Sequence, residues 1–117
     1  MIGISILRLA VLPAVLAVAV HAHAILASAV PAAGQVVQGP EISIRLRFNS
    51  RIDGKRSRVL LVAPDGATSA LPVADRSAPD TLEMRANNLK TGSYTIRWQV
   101  LANDGHITRG EIPFRVQ

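Results

Sequence analysis

Strict alternation of apolar and polar side chains is the feature that most constrains this sequence. Residues 41–49 carry an apolar side chain at every second position, and residues 92–100 repeat the pattern. A period of two places these side chains on one face of an extended chain. The alternation therefore predicts strands buried on one side. The predicted inward-facing residues are Ile42, Ile44, Leu46, Phe48, Tyr94, Ile96, Trp98 and Val100.

The rest of the chain after residue 24 continues as strands and turns. Three more segments have strand patterns, namely residues 57–63, 81–85 and 107–117, the last with Ile112, Phe114 and Val116 facing inward. Pro64-Asp65-Gly66 predicts a turn, because proline presets φ and glycine accepts positive φ. Pro113 indicates an edge position or a bulge in the last strand. With no apolar face at helical spacing, the sequence predicts an all-β, immunoglobulin-like β-sandwich, a Greek-key barrel of about seven strands.

Tyr94 supports the same fold class. It begins a strand pattern after a turn-like segment, residues 89–93. This arrangement resembles the tyrosine corner of immunoglobulin-like sandwiches, in which the tyrosine hydroxyl bonds to backbone a few residues upstream.

The first residues have the layout of a secretory signal peptide. A short head ends at Arg8, a twelve-residue apolar run follows, and small residues with histidines close the segment. The run is shorter than the roughly 20 residues that a membrane-spanning helix needs, which makes a retained anchor the weaker interpretation. Small-x-small patterns allow cleavage after Ala19, Ala22 or Ala24, and only cleavage after Ala22 leaves His23 as the first residue. We expect a signal peptide at residues 1–22 and one domain at residues 23–117.

The amino-acid composition excludes several classes of function. The chain has no cysteine, which excludes a disulfide scaffold, a thiolate zinc site, an iron–sulfur centre and a thiol nucleophile. Its formal charge of +5 falls to +4 when Arg8 leaves with the signal peptide. The sequence has one tryptophan, one tyrosine and two phenylalanines, all on predicted inward faces. No aromatic side chain is left to stack on nucleic-acid bases, so we expect no nucleic-acid partner. It has no Gly-x-Ser-x-Gly elbow for a hydrolase, and we expect a protein that is not an enzyme.

Asp104-Gly105-His106 is the candidate site for metal chemistry. Asp-Gly favours a two-residue hairpin turn, and a histidine beside such a turn is usually only solvated. Alternatively, residues two apart in an extended chain project to the same side, so the carboxylate and imidazole could converge on a metal. A backbone reversal at Gly105 would weaken that geometric argument. If His23 is the first residue, its α-amine and imidazole add two nitrogen ligands, and this nitrogen–oxygen set favours Cu(II) over Cu(I).

These residues belong to a pattern that resembles the CopC family of periplasmic copper-resistance proteins. The opening pattern is His23-x-x-Leu26, then Ser28, then Pro31-Ala32-x-Gly34. The closing pattern is Leu89-x-x-Gly92-x-Tyr94-x-Ile96-x-Trp98-x-Val100, then Asp104-Gly105-His106, then Gly110-x-x-x-Phe114-x-Val116. The two halves occur in the family's order and separation over nearly all of residues 23–117.

The resemblance implies a function and a ligand set. It implies an exported, periplasmic protein that binds one Cu(II) per chain through the α-amine and imidazole of His23, the imidazole of His106 and the carboxylate of Asp104. It also implies cleavage after Ala22. The expected role is copper resistance or homeostasis, as a buffer or carrier that passes copper to a CopD-type inner-membrane partner.

Two departures from the family limit this expectation. Some members have an acidic copper contact where this chain has Ser50, so that contact is absent here or made through water. Others hold Cu(I) in a methionine-rich loop, whereas Met84 is the one methionine after the predicted signal peptide, and we expect no Cu(I) site.

Two other functions stay open at this point. One is a metal-free, immunoglobulin-like binding module in which Asp104-Gly105-His106 is only a turn. The other is a copper oxidase, because a terminal-histidine site also resembles the histidine brace of polysaccharide monooxygenases. The oligomeric state is left open by the sequence.

Overall fold

The structure of the protein is a computed structural model that describes Gly3, residues 24–75 and residues 78–117. Apart from Gly3, the predicted signal peptide lies outside the described residues, and so does His23. The strands are β1 (Leu26–Val30), β2 (Val36–Val37), β3 (Ile42–Phe48), β4 (Ile52–Val62), β5 (Thr68–Ala70), β6 (Thr81–Ala86), β7 (Gly92–Ala102) and β8 (Ile107–Val116). Within the described ranges, no helix has the length and hydropathy needed to cross a membrane.

The strands form two sheets packed face to face. One sheet has the order β1-β3-β6, and the other has the order β2-β8-β7-β4-β5. Neighbouring strands are antiparallel except for the parallel pair of β2 and β8. The chain crosses repeatedly between the sheets, as Greek-key connections require. The predicted all-β, immunoglobulin-like sandwich is confirmed, and the strands beyond the expected seven or so reflect the short β2 and β5.

The core lies between the sheets and contains the predicted inward faces. All the side chains that the alternation placed inward are buried, including those of Ile112, Phe114 and Val116. The sheets are joined by an edge-on contact between Phe48 of β3 and Trp98 of β7, with ring centroids 5.2 Å apart. Within the larger sheet, Tyr94 stacks on Phe114 at 5.6 Å. Such aromatic pairs add to the stabilisation that burial already supplies.

The tyrosine corner is present as expected. Tyr94 is buried, and its hydroxyl donates a hydrogen bond to the backbone oxygen of Lys90 at 2.8 Å. This bond ties the start of β7 to the turn that precedes it.

Pro113 lies in β8, which has β7 on one side and the short β2 on the other. The Pro113 carbonyl accepts a hydrogen bond from the Gly34 backbone N–H at 2.7 Å. The backbone nitrogen and oxygen of one strand residue point to the same side, so the Pro113 nitrogen faces away from β7. Its missing N–H therefore costs no hydrogen bond to β7, which is how β8, the strand next to the short edge strand β2, tolerates proline.

Candidate metal site

The turn between β7 and β8 carries both Asp104 and His106. The Ala102 N–H donates to the His106 carbonyl at 2.8 Å, and the Gly105 N–H donates to the Ala102 carbonyl at 2.9 Å. Gly105 has a φ of 86°. This is a three-residue connection in which glycine takes the left-handed conformation after a type I turn. The expected two-residue turn is therefore wrong, because only the glycine of the Asp-Gly pair has positive φ.

A second turn, between β4 and β5, has the same backbone. The Ala63 N–H donates to the Ala67 carbonyl at 2.8 Å, the Gly66 N–H donates to the Ala63 carbonyl at 2.9 Å, and Gly66 has a φ of 85°. The Asp65 carboxylate accepts from the Ala67 N–H at 3.0 Å. In both turns the aspartate therefore accepts a backbone hydrogen bond and the glycine has positive φ, which is a structural role. The β7–β8 turn differs from its twin in having His106 where the twin has Ala67.

The Asp104 carboxylate holds both the backbone and the ring of His106. One oxygen, Oδ1, accepts from the His106 N–H at 3.0 Å, and the other, Oδ2, lies 2.9 Å from the ring nitrogen Nδ1. A carboxylate can only accept, so Nδ1 carries the proton, and in a neutral ring the lone pair then lies on Nε2. The backbone does reverse at Gly105, yet the two side chains meet. The His106 side chain is 53% exposed and that of Asp104 is 25% exposed, so the pair lies at the surface.

Ala24, the first residue of the continuous range 24–75, is fixed at the same end of the sandwich. Ala24 is 1% exposed, and its carbonyl accepts a hydrogen bond from the Thr108 hydroxyl at 2.9 Å. The N–H of the next residue, Ile25, donates to the side-chain oxygen of Asn49 at 2.8 Å. The Asn49 backbone N–H in turn donates to the Ile25 carbonyl at 2.9 Å. Thr108 is two residues after His106 on β8. His23 lies outside the described residues, but it is bonded to a residue anchored beside the strand that leaves the turn.

Sequence reasoning did not find Thr108 or Asn49. Their partners are 84 and 24 positions away, and neither residue belongs to a recognisable motif. No local pattern in the sequence could have indicated these contacts.

Ser50 also lies at this end of the sandwich. The adjoining Arg51 carbonyl accepts from the Asn103 N–H at 3.3 Å, which places the β3–β4 connection against the turn. The Ser50 hydroxyl oxygen is buried and has no hydrogen-bond partner among the described residues. A buried hydroxyl ordinarily has a partner, so this position is chemically unsatisfied by the described part of the chain.

The described residues supply two of the three predicted ligand residues. Across residues 24–75 and 78–117, no three His, Cys, Asp or Glu side chains group closely enough to hold a metal ion. Asp104 and His106 are brought together as expected, whereas the placement of His23 stays a prediction. Met84 is 4% exposed and belongs to the core.

Comparisons with known proteins agree with this architecture. A sequence model of the CopC domain matches residues 26–117. The chain is 32% identical over 101 residues to protein YobA of Escherichia coli K12, covering 84% of this chain and 82% of YobA.

Two solved structures share the fold over most of the chain. The crystal structure of CopC from Methylosinus trichosporium OB3b has a TM-score of 0.75 and 28% identity, over 81% of this chain and 94% of that one. PcoC of Escherichia coli, a methionine-rich copper resistance protein, has a TM-score of 0.69 and 27% identity, over 82% of this chain and 100% of that one. The family match extends over well more than half of the sequence. The protein therefore belongs to the CopC domain family.

Proposed function

We propose that this protein binds one Cu(II) ion per chain through His23, Asp104 and His106 and acts in periplasmic copper resistance or homeostasis. The observation that carries the proposal is the anchoring of Ala24 beside the strand that begins at the Asp104–His106 turn. Removal of residues 1–22 as a signal peptide would make His23 the first residue, bonded directly to this anchored position. The copper resistance role of PcoC supports the same function.

The chemistry of the ligand set favours Cu(II). The α-amine and imidazole of His23, the imidazole of His106 and the carboxylate of Asp104 comprise three nitrogens and one oxygen. Such ligands suit Cu(II), which heads the affinity order of divalent metals and accepts tetragonal nitrogen–oxygen sites. Both Asp104 oxygens already accept hydrogen bonds from His106, and each retains lone-pair capacity for a metal. The same carboxylate would orient the His106 ring, as carboxylates do around metal-bound histidines.

The methionine content supports a site for Cu(II) and not for Cu(I). Cu(I) prefers thiolate and thioether ligands. This chain has no cysteine and two methionines, Met1 within the proposed signal peptide and Met84 in the core. PcoC is described as methionine-rich, so the two relatives differ in the type of ligand they offer.

We propose a carrier or buffer function and no catalytic one, with a CopD-type membrane protein as the recipient of copper. The strongest competing function is a metal-free binding module. In that case Asp104-Gly105 would act only as a turn, as Asp65-Gly66 does between β4 and β5.

The first experiment is intact-mass measurement of the exported protein, followed by Cu(II) titration of the same sample. Trp98 is the one tryptophan of the chain and serves as a fluorescence reporter, while electron paramagnetic resonance reports the ligands. We expect a mass that begins at His23, one Cu(II) per chain and a nitrogen-rich tetragonal spectrum. A chain beginning at Val20 or Ile25, or no stoichiometric copper, would favour the metal-free module.

Variants of the two twin turns sharpen the test. His106→Ala should weaken Cu(II) binding strongly while leaving the fold intact, because the side chain lies at the surface. The double variant His106→Ala with Ala67→His moves the Asp-Gly-His sequence to the β4–β5 turn and should bind no better. An alanine added before His23 should weaken binding nearly as much as loss of the histidine, because the α-amine is displaced. Unchanged affinity in His106→Ala would refute the site.

A further inference from the structure

The outer face of the five-stranded sheet carries a row formed by Arg58, Gln99 and Arg109. Gln99 of β7 pairs with Arg58 of β4 on one side and with Arg109 of β8 on the other. Residues paired across neighbouring strands project from the same face of the sheet. Strands are about 4.8 Å apart, so the two arginine backbones are about 10 Å apart, a distance that two arginine side chains can close around one group.

Hydrogen bonds along this face hold the head groups of Arg109 and Arg97 in place. The Arg109 Nε–H donates to Gln99 Oε1 at 2.8 Å. In the adjacent row the Arg97 Nε–H donates to Glu111 Oε1 at 2.9 Å. Each bond takes one of the five N–H donors of a guanidinium, and an amide oxygen accepts at most two. At least three donors of Arg109 therefore do not go to Gln99.

The two sheets differ in how their outer arginines are balanced. The Arg58 side chain has neither a hydrogen bond nor an ion pair with any residue in the described part of the chain, and the Arg109 side chain has no carboxylate partner there. On the three-stranded sheet, Arg45 lies 3.4 Å from Glu83, and Arg85 pairs with Glu41. Arg47 of the same sheet donates to the Ser28 hydroxyl at 3.3 Å and has no carboxylate partner among the described residues. The three-stranded sheet thus has one arginine without a carboxylate partner in the described ranges, whereas Arg58 and Arg109 both lack one on either side of Gln99.

A hollow of about 480 Å³ lies over these two rows. Its lining includes Arg58, Leu60, Arg97, Gln99, Arg109 and Glu111. We propose that this hollow is a docking site for an acidic segment of a partner protein, with a carboxylate held between Arg58 and Arg109. The planar guanidinium fork matches carboxylate geometry, and two such groups on one anion give orientation as well as charge.

Two features favour a protein segment over an anionic membrane surface as the occupant. Leu60 is 37% exposed beside the arginines and offers an apolar contact to a partner side chain. Glu111 places a negative charge within the lining, which would face a uniformly anionic lipid surface unfavourably. A protein segment can match this mixture of charges position by position.

The inference does not depend on copper. Arg109 is three residues after His106, about 10 Å along the strand, so the hollow and the candidate metal site are separate surfaces. The His106→Ala variant should bind an acidic peptide as the unaltered protein does, so failure of one proposal is distinguishable from failure of the other.

The test uses metal-free mature protein, residues 23–117, and a fluorescently labelled acidic peptide in which one lysine stands among glutamates, and binding is followed by anisotropy. We expect saturable binding that weakens as salt rises to about 0.15 M. Arg58→Gln with Arg109→Gln should lower the affinity about tenfold or more. The matched control, Arg45→Gln with Arg47→Gln, removes the same charge from the other sheet and should leave the affinity unchanged. Circular dichroism should show both variants folded, because all four side chains are exposed.

Three results would overturn the proposal. One is the absence of saturable peptide binding at low salt. Another is an equal loss of affinity in both double variants, which would indicate general charge attraction and no site. The third is binding to vesicles that contain anionic lipid without binding to the peptide, which would assign this face to a membrane surface.

Discussion

Thr108 donates a hydrogen bond from its hydroxyl to the carbonyl oxygen of Ala24, 2.9 Å away. The bond spans 84 positions of sequence and joins Ala24 to β8 at a position two residues beyond His106. The bond fixes Ala24, the residue after the proposed first residue of the mature protein, beside the strand that leaves the Asp104–His106 turn. We therefore expect Thr108 to position the proposed ligand His23, with its hydroxyl acting through the backbone of residue 24.

Thr108→Val tests this positioning role. The variant keeps the shape of the side chain and removes the hydroxyl, so we expect stability to fall by about 1 kcal/mol. We expect Cu(II) affinity to fall by about tenfold, as when partners behind a metal ligand are removed. Competitive Cu(II) titration and urea unfolding measure the two effects. Thr95→Val, on the outer face of β7, is the matched control and should leave copper affinity unchanged. If Thr108→Val also leaves copper affinity unchanged, Thr108 has no positioning role.

Asp104→Asn separates the ligand role of the carboxylate from its turn role. Asparagine can still accept the His106 N–H, so the turn should persist, but the negative charge at Oδ2 is lost. We expect Cu(II) affinity to fall by about 10- to 100-fold with little change in melting temperature. Asp65→Asn alters the twin turn in the same way and should not affect copper. Equal copper affinity in the two variants would contradict a role for Asp104 at the metal.

Gly110→Ala should destabilise the fold. An added Cβ would lie 2.3 Å from Cζ2 of Trp98, and the indole is backed by the core. Overpacking of this kind costs about 1–3 kcal/mol. Gly54→Ala is the control, because a Cβ there meets nothing within 4 Å. Chemical denaturation monitored by Trp98 fluorescence should show a midpoint below that of the unaltered protein for Gly110→Ala and not for Gly54→Ala. Similar midpoints for the two variants would mean that the indole has room to move.

Tyr94→Phe removes the tyrosine-corner hydrogen bond and leaves the stacked ring in place. The Lys90 carbonyl loses its 2.8 Å donor, so we expect a loss of about 1 kcal/mol in unfolding free energy. Thermal and urea unfolding measure it. No loss of stability would show that water replaces the hydroxyl at the Lys90 carbonyl.

The twin turns show how far local sequence reasoning extends. Asp-Gly predicts a turn at both places, and both turns have glycine at positive φ. The expected two-residue length of the β7–β8 turn was wrong, because Asp-Gly suits both a two-residue turn and a type I turn followed by one left-handed glycine. The sequence left the contact of Asp104 with His106 open, because the argument from an extended chain weakens once the backbone reverses at Gly105, and the structure shows that the two side chains meet.

By itself the sequence determined the strand pattern, the inward faces and the tyrosine corner, and it singled out Asp104 and His106 as candidate ligands. Each of these depends on residues a few positions apart, where alternation or a short turn fixes the geometry. The tertiary structure alone decided that Ala24 lies beside Thr108, that Asn49 holds Ile25, and that Arg58 and Arg109 share one row of a sheet. These relationships depend on strand register and sheet order, which arise from packing of the whole core and leave no signature in any single segment.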